Sequence, residues 1–175
     1  MKKLLSIALL SGIFSMQAYA QKPAEDKSKR PSPPAKVTQQ INDGATITIN
    51  YSQPSIKGRT IGKTIDPMDG KVWRTGANEA TTFETDKDVT IEGVTLPAGK
   101  YGLFTLWNGN DVTIILNKTW EQWGAFNYKE VDDQLRFNTS ATDVNPATER
   151  LTFMVSPDGE VSMLWGPKKI SFMVK

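Results

Sequence analysis

Short runs of alternating apolar and polar residues, separated by turn residues, make up most of the chain from Val37 onward. In the segment from Thr46 to Tyr51 every second residue is apolar, which is typical of a strand with one buried face. The dipeptides Asp43-Gly44 and Asn108-Gly109 are hairpin-turn sequences, because these residues tolerate the left-handed backbone of tight turns. The pattern therefore indicates antiparallel strands joined by short connections.

The same criteria predict strands over most of the chain and no convincing helix. Gly166-Pro167 indicates a turn between the last two strands, and the nearly continuous apolar run before Lys118 predicts a central strand. We expect an all-β domain, an antiparallel β-sandwich or flattened barrel of about nine or ten short strands. The predicted strands are residues 37–42, 46–51, 80–85, 89–92, 101–107, 112–117, 135–139, 151–155, 161–165 and 170–174.

Residues 1–20 have the pattern of a signal peptide. Lys2 and Lys3 precede an apolar run from Leu4 to Met16, and Ala18-Tyr19-Ala20 is a small-x-small cleavage pattern. An uncleaved membrane anchor is the alternative, but the apolar run is shorter than the ~20 residues that a span needs. We expect cleavage after Ala20, export to the periplasm or the extracellular space, and no transmembrane segment after cleavage.

Residues 21–36 are predicted to be a flexible linker rich in proline and lysine. They hold four prolines, five basic residues and almost no apolar side chains, so they cannot bury enough surface to offset the entropy of ordering. The alternative is that the basic residues contact an anionic lipid or polymer. Residues 37–175 are then a single β domain.

Composition excludes several classes of function. The predicted domain, residues 37–175, has 14 basic and 17 acidic residues, a net charge of −3, and therefore lacks the basic surface of a nucleic-acid-binding protein. The 175-residue chain has no Cys and no His, which excludes disulfides, Ser-His-Asp and Cys-His catalysis and the usual zinc, copper and iron sites. We expect no metal and no cofactor.

The central stretch from Lys71 to Thr82 combines a Trp, an Arg, an Asn and a Glu around one Gly. Arg74 and Glu79 are five positions apart across Gly76, so a turn could bring them together. One interpretation is an ion pair that fixes a corner of the sheet, with Asn78 capping the turn. The other is a pocket in which Arg74 binds an anion or carbonyl and Glu79 acts as base or hydrogen-bond acceptor.

Other candidate side chains lie outside this stretch. Arg59 is on a long connection, residues 52–70, of the kind that is often functional. Arg136 lies in a predicted strand and could pair with nearby acids or project into a cleft. The aromatic segment from Trp120 to Tyr128 could form core or a surface that stacks on sugar rings. The candidate ligand-binding residues are Arg59, Trp73, Arg74, Asn78, Glu79, Trp123, Tyr128 and Arg136; we predict no catalytic residue.

Five motifs of the chain resemble one known family. They are YSxP at 51–54, KGR at 57–59, GKVWRTGANEAT at 70–81, LPAGxYxLF at 96–104 and WGAFxY at 123–128. In order and spacing they resemble the secreted bacterial family called domain of unknown function 2911, over roughly residues 36–175. The resemblance implies a compact β domain exported by Gram-negative bacteria and no particular activity. The sequence departs from the family pattern at Gln53, where Arg is expected, and at Thr64 to Asp69.

The function that we expect is a non-catalytic binding or structural module for a small or glycan-like ligand. One alternative is a cofactor-free hydrolase or lyase, with Glu79 as general base and Arg74 stabilising developing charge. The other is a purely structural role for the central stretch, with protein partners. Residue types leave the oligomeric state open.

Overall fold

The structure, a computed structural model, describes residues 25–175. The predicted signal peptide and the start of the predicted linker lie outside the described residues. Two 3₁₀ turns occur at Lys27–Lys29 and Glu130–Asp132, and no helix in the described part is long and apolar enough to cross a membrane. The strands are β1 (Pro34–Gln40), β2 (Thr46–Ser52), β3 (Val72–Trp73), β4 (Thr82–Thr85), β5 (Val89–Ile91), β6 (Val94–Leu96), β7 (Gly99–Asn108), β8 (Asp111–Asn117), β9 (Asp133–Ser140), β10 (Thr142–Val155) and β11 (Glu160–Met173).

Seven of these strands form one antiparallel sheet. Its order is β1-β2-β4-β7-β8-β9, and the short β3 pairs with β7. The apolar strand β8 lies between β7 and β9, as its continuous apolar run predicted. Because β1 and β9 are edges that do not pair with each other, the sheet is open, which favours the sandwich over the flattened barrel. The all-β, antiparallel fold class is therefore confirmed.

The long hairpin β10–β11 covers one face of this sheet, here called the inner face. Ile47 and Ile49 of β2 point into this layer because residues at alternate positions of a strand share a face. Tyr51 meets Phe153 of β10 edge-on with ring centroids 4.9 Å apart. Trp165 of β11 is fully buried in the same cluster. The main hydrophobic core thus lies between the seven-stranded sheet and the hairpin.

Two predicted strands merge in this hairpin, so the predicted turn at Gly166-Pro167 is wrong. Residues 161–165 and 170–174 are almost wholly contained in the single strand β11. Gly166 has a positive φ of 59° and lies opposite Thr148, between two register shifts of the β10–β11 ladder. A bulge can hold a glycine of this conformation inside a strand without ending it.

The opposite face of the sheet, the outer face, carries the aromatic segment of residues 118–128. This segment lies over Gly102, where an added β-carbon would be 3.3 Å from the Trp120 α-carbon and 2.6 Å from the Phe104 ring. Phe104 and Ile115 form a second, smaller apolar cluster beneath it, against which Tyr128 packs. The segment covers only part of the outer face, and an open groove lies beside it.

The predicted boundary of the linker at residue 36 is wrong. Residues 34–36 belong to β1 and pair with residues 50–52 of β2. The preceding residues also contact the domain, because the Ser32 carbonyl accepts a hydrogen bond from Asn78 and the Pro33 carbonyl accepts one from Gln53. Composition alone does not reveal this pairing, because it depends on the backbone N–H and C=O groups at the edge of β2.

Candidate binding groove

An open groove of about 710 Å³ lies on the outer face of the sheet. Its floor contains Lys36, Asn50 and Thr82, which are cross-strand neighbours on β1, β2 and β4. Pro34 and Ala35 line the groove at the β1 edge. The residues from Trp120 to Trp123 line it on the side of the aromatic segment. The site is therefore a polar floor with an aromatic wall.

Backbone pairing between the central stretch and the aromatic segment holds this wall in place. The Ala80 N–H donates to the Gln122 carbonyl and the Gly124 N–H donates to the Asn78 carbonyl, both at 2.9 Å. Glu79 and Trp123 face each other in the resulting antiparallel bridge. These contacts bring together two motifs that are more than forty residues apart in the chain. Trp123 remains 54% exposed.

Glu79 is the electrostatic centre of the site and is held by two cations. Lys27 Nζ lies 2.8 Å from its Oε1, and Arg30 Nη1 contacts its two oxygens at 3.0 and 2.8 Å. Burial raises the pKa of Glu79, but hydrogen bonds from Lys27, the backbone and Arg30 outweigh that effect and lower it from 4.5 to about 2. Glu79 is therefore an ionised hydrogen-bond acceptor at neutral pH.

The predicted ion pair between Arg74 and Glu79 is not formed in the described residues, so that interpretation is wrong. Glu79 pairs instead with Lys27 and Arg30 from the predicted linker. Asn78, with a φ of 59°, does not cap the corner either. Its Nδ2 donates to the Ser32 carbonyl at 2.9 Å and so fastens the N-terminal segment to the groove.

Cations also lie over the two indole rings of the wall. The guanidinium carbon of Arg30 is 5.6 Å from the ring centre of Trp123, and Lys100 Nζ is 4.2 Å from that of Trp120. Arg30 is fixed by a second carboxylate, since its Nε and Nη2 donate to Glu25. Cation–π attraction restricts the orientation of both indoles, and the hydrogen bonds of Arg30 strengthen this at Trp123.

The family comparison agrees with these motifs. The family model described as protein of unknown function (DUF2911) matches residues 32–174. The chain belongs to this family. Comparisons with curated proteins and with solved structures gave no match.

The DUF2911 region contains every residue lining the groove except Lys27. Its GKVWRTGANEAT run supplies β3 and Glu79, and its LPAGxYxLF run supplies the last residue of β6 and the first part of β7. Its WGAFxY run supplies Trp123 of the wall. Gln53, the departure from the family pattern, donates its side-chain amide to the Leu151 carbonyl at 3.1 Å and does not line the groove.

Three of the predicted site residues of this DUF2911 chain lie at a second cavity. Arg59, Trp73 and Arg74 line a space of about 350 Å³ between the long connection and the corner after β3. Trp73 is 3% exposed, and its indole N–H donates to the Gly76 carbonyl. Arg59 donates to the carbonyls of Ser55 and Ile56. The central stretch thus contributes to two separate concavities.

Tyr128 and Arg136 brace the aromatic segment and line neither cavity. The Tyr128 hydroxyl donates to Asp133 at 2.8 Å, and Arg136 forms ion pairs with Asp133 and Glu130. Burial and then the hydrogen bond to Asp133 raise the pKa of Tyr128. Of the two alternatives for Arg136, the structure shows pairing with nearby acids.

Several groove residues were missed by the sequence analysis. Lys36, Asn50, Thr82 and Lys100 occupy outward positions of their strands, so the alternation that predicted the core also contained a signal for the floor. Lys27 and Arg30 gave no signal, because their segment was interpreted as linker. Within residues 25–175 no three metal-binding side chains of the His, Cys, Asp and Glu types lie together.

Proposed function

We propose that this protein is a non-catalytic binding module of the periplasm or cell surface, and that a glycan-like ligand occupies the groove. The observation that carries the proposal is the half-exposed indole of Trp123 beside a polar floor on a rigid sheet. The apolar face of a sugar ring stacks on an indole, while its hydroxyls need donors and acceptors close by. The signal-peptide pattern of residues 1–20 supports the location.

The floor of the groove suits a ligand rich in hydroxyl groups. Asn50 supplies both a donor and an acceptor, and Lys36 supplies donors.

The charges of the groove support a neutral or weakly anionic ligand. Three lysines, at positions 27, 36 and 100, and two glutamates, at 79 and 121, line it, which leaves a net charge of +1. Two of the lysines are engaged, one with Glu79 and one over Trp120. The remaining cation, Lys36, is exposed at the edge strand.

The state of Glu79 supports binding over the hydrolase or lyase alternative. A general base works best when its pKa lies near the operating pH. With a pKa of about 2, Glu79 holds protons far too weakly to fulfil that condition at neutral pH. As a permanently charged acceptor with two fixed cations, it is better suited to position a ligand than to move its protons.

Intrinsic fluorescence titration tests the proposal. The purified protein is titrated with chitotetraose and cellotetraose as probes, and with a soluble peptidoglycan fragment. Trp123→Ala is compared with Phe126→Ala, a matched control on the same segment that is 83% exposed and does not line the groove. We expect Trp123→Ala to weaken binding by at least about tenfold, as is typical of a central aromatic contact.

The control defines the outcomes. Phe126→Ala should bind like the parent, and far-UV circular dichroism should show that both variants are folded. Equal loss in the two variants would mean that the segment acts as a whole and that the groove is not the site. Saturable binding that Trp123→Ala leaves unchanged would likewise disprove the role of the wall.

A further inference from the structure

The second cavity contains an arginine that differs from its neighbours in having no partner. Within residues 25–175 the Nε of Arg74 is buried and has no hydrogen-bond acceptor. All eight ion pairs of the described chain involve other cations. A partly buried guanidinium without an acceptor is usually matched by an anion, and because Nε is enclosed, that anion has to bind the terminal nitrogens.

Three other arginines of the described residues have hydrogen-bond acceptors of the kind that Arg74 lacks at Nε. Arg30 donates to the carboxylates of Glu25 and Glu79. Arg136 pairs with Glu130 and Asp133, and Arg59 donates to two backbone carbonyls. Each of these guanidinium groups has its acceptors within the chain. Arg74 is less exposed to solvent than Arg59 and still lacks one at Nε.

We propose that this second cavity binds a small carboxylate through the guanidinium of Arg74. A guanidinium and a carboxylate are both planar and can form two parallel hydrogen bonds, which makes this the best-matched class of acceptor. The cavity of about 350 Å³ is large enough for a compact organic acid and lies apart from the glycan-like ligand's groove. The inference goes beyond the proposed function and does not depend on it.

The charges that line the cavity favour an anionic ligand. Arg59 and Arg74 contribute two positive charges and Asp66 one negative charge, so the net charge is +1. Burial lowers the pKa of Arg74, and the charge of Asp66 partly offsets that effect; the two side chains form no ion pair in residues 25–175. The charge of Asp66 weakens the attraction of the two arginines for any anion.

Buried hydrogen bonds hold the walls of this cavity in position. The Trp165 indole N–H donates to the Asp66 carbonyl at 2.8 Å, which fastens the long connection to β11. The Trp73 indole N–H donates to the Gly76 carbonyl at 3.1 Å, which fastens the corner. Ile65 packs against the main core. A preorganised site binds a small ligand with little loss of conformational entropy.

Saturation-transfer NMR with acetate, propionate and inorganic phosphate tests the proposal, at constant ionic strength set by sodium chloride. We expect saturable binding of the two carboxylates, with phosphate as the comparison anion. Arg74→Gln should lower the affinity for acetate by at least about tenfold, as expected when one partner of a partly buried charge pair is removed. Arg136→Gln, the matched control, and Trp123→Ala should bind acetate like the parent.

Asp66→Asn provides an independent test if Arg74→Gln does not fold. It removes the repelling charge and leaves the backbone carbonyl that Trp165 uses, so acetate should bind several-fold more tightly. No saturable signal with any of the three anions in the parent would overturn the proposal. So would acetate binding that Arg74→Gln and Asp66→Asn both leave unchanged. Neither result would affect the groove, whose test depends on Trp123.

Discussion

The two faces of the seven-stranded sheet are covered by different kinds of structure. On the inner face the β10–β11 hairpin buries a continuous apolar core, which includes Phe153 and Trp165. On the outer face a segment without regular strands lies over Gly102 and packs on a small cluster around Phe104. A backbone bridge and ion pairs at Glu79 also hold this cover in place.

This difference assigns most of the stability to the inner face. Burial of apolar area is the dominant favourable contribution to folding, so the inner face supplies most of the stability. The outer face depends on polar contacts, which contribute little each but fix geometry and leave side chains accessible. We therefore expect substitutions on the inner face to unfold the protein, and those on the outer face to change the groove first.

The largest expected effect comes from Phe153→Ala on the inner face. Phe153 is 5% exposed and packs against Tyr51, so the change leaves a cavity in the main core. We expect a loss of about 3–5 kcal/mol in the free energy of unfolding. Urea denaturation measures it as a lower midpoint at unchanged slope. A loss no greater than that of the exposed control Phe126→Ala would contradict the assignment of stability to this face.

A smaller effect is expected from Gly102→Ala on the outer face. The new β-carbon would meet the Phe104 ring at 2.6 Å and the Trp120 α-carbon at 3.3 Å, so the aromatic segment has to shift. We expect a destabilisation of about 1–3 kcal/mol from overpacking. Amide hydrogen exchange should accelerate in residues 120–124 more than in residues 151–155. Equal acceleration in both would show that the two faces unfold as one unit.

The smallest effect is expected from Glu79→Gln, and it depends on pH. The pKa of Glu79 is lower in the folded state, about 2, than its ordinary value of 4.5. The stabilisation is therefore complete above about pH 4.5 and is lost as the pH falls toward 2. Since the side chain is 40% exposed, we expect a loss of about 1 kcal/mol or less at neutral pH.

Thermal unfolding from pH 2 to pH 7 measures this difference. The midpoints of parent and Glu79→Gln should differ at pH 7 and converge below about pH 4.5. Glu92→Gln is the control, because Glu92 is exposed and forms no ion pair in residues 25–175. A constant difference across the range would mean that the charge of Glu79 has no part in the effect.

Local patterns were sufficient for much of the fold. Alternation in β2 correctly predicts which of its residues face the core, and Asn108-Gly109 marks the turn between β7 and β8. The same reasoning failed at Gly166, because a bulge and a turn require the same left-handed glycine. Only the pairing with strand β10 distinguishes the bulge from a turn, and local sequence patterns do not show that pairing.

The candidate site was less predictable than the fold. The residues that sequence reasoning grouped around Arg74 and Glu79 are divided between two cavities. The partners of Glu79 lie 49 and 52 positions away, at Arg30 and Lys27. No local periodicity encodes a contact between residues so far apart in the chain. The proline-rich composition around Lys27 and Arg30 indicates a flexible linker without such contacts.

By itself, the sequence determined the all-β class, the family, the strands that line the core and the residue types that exclude whole classes of chemistry. These properties follow from local periodicity and composition, which each segment carries independently of the rest of the chain. Only the tertiary structure decided that Glu79 pairs with Arg30, that Trp123 borders a groove and that Arg74 faces a separate cavity. Ion pairs and cavities form between distant segments, and their existence depends on how the two faces of the sheet are covered.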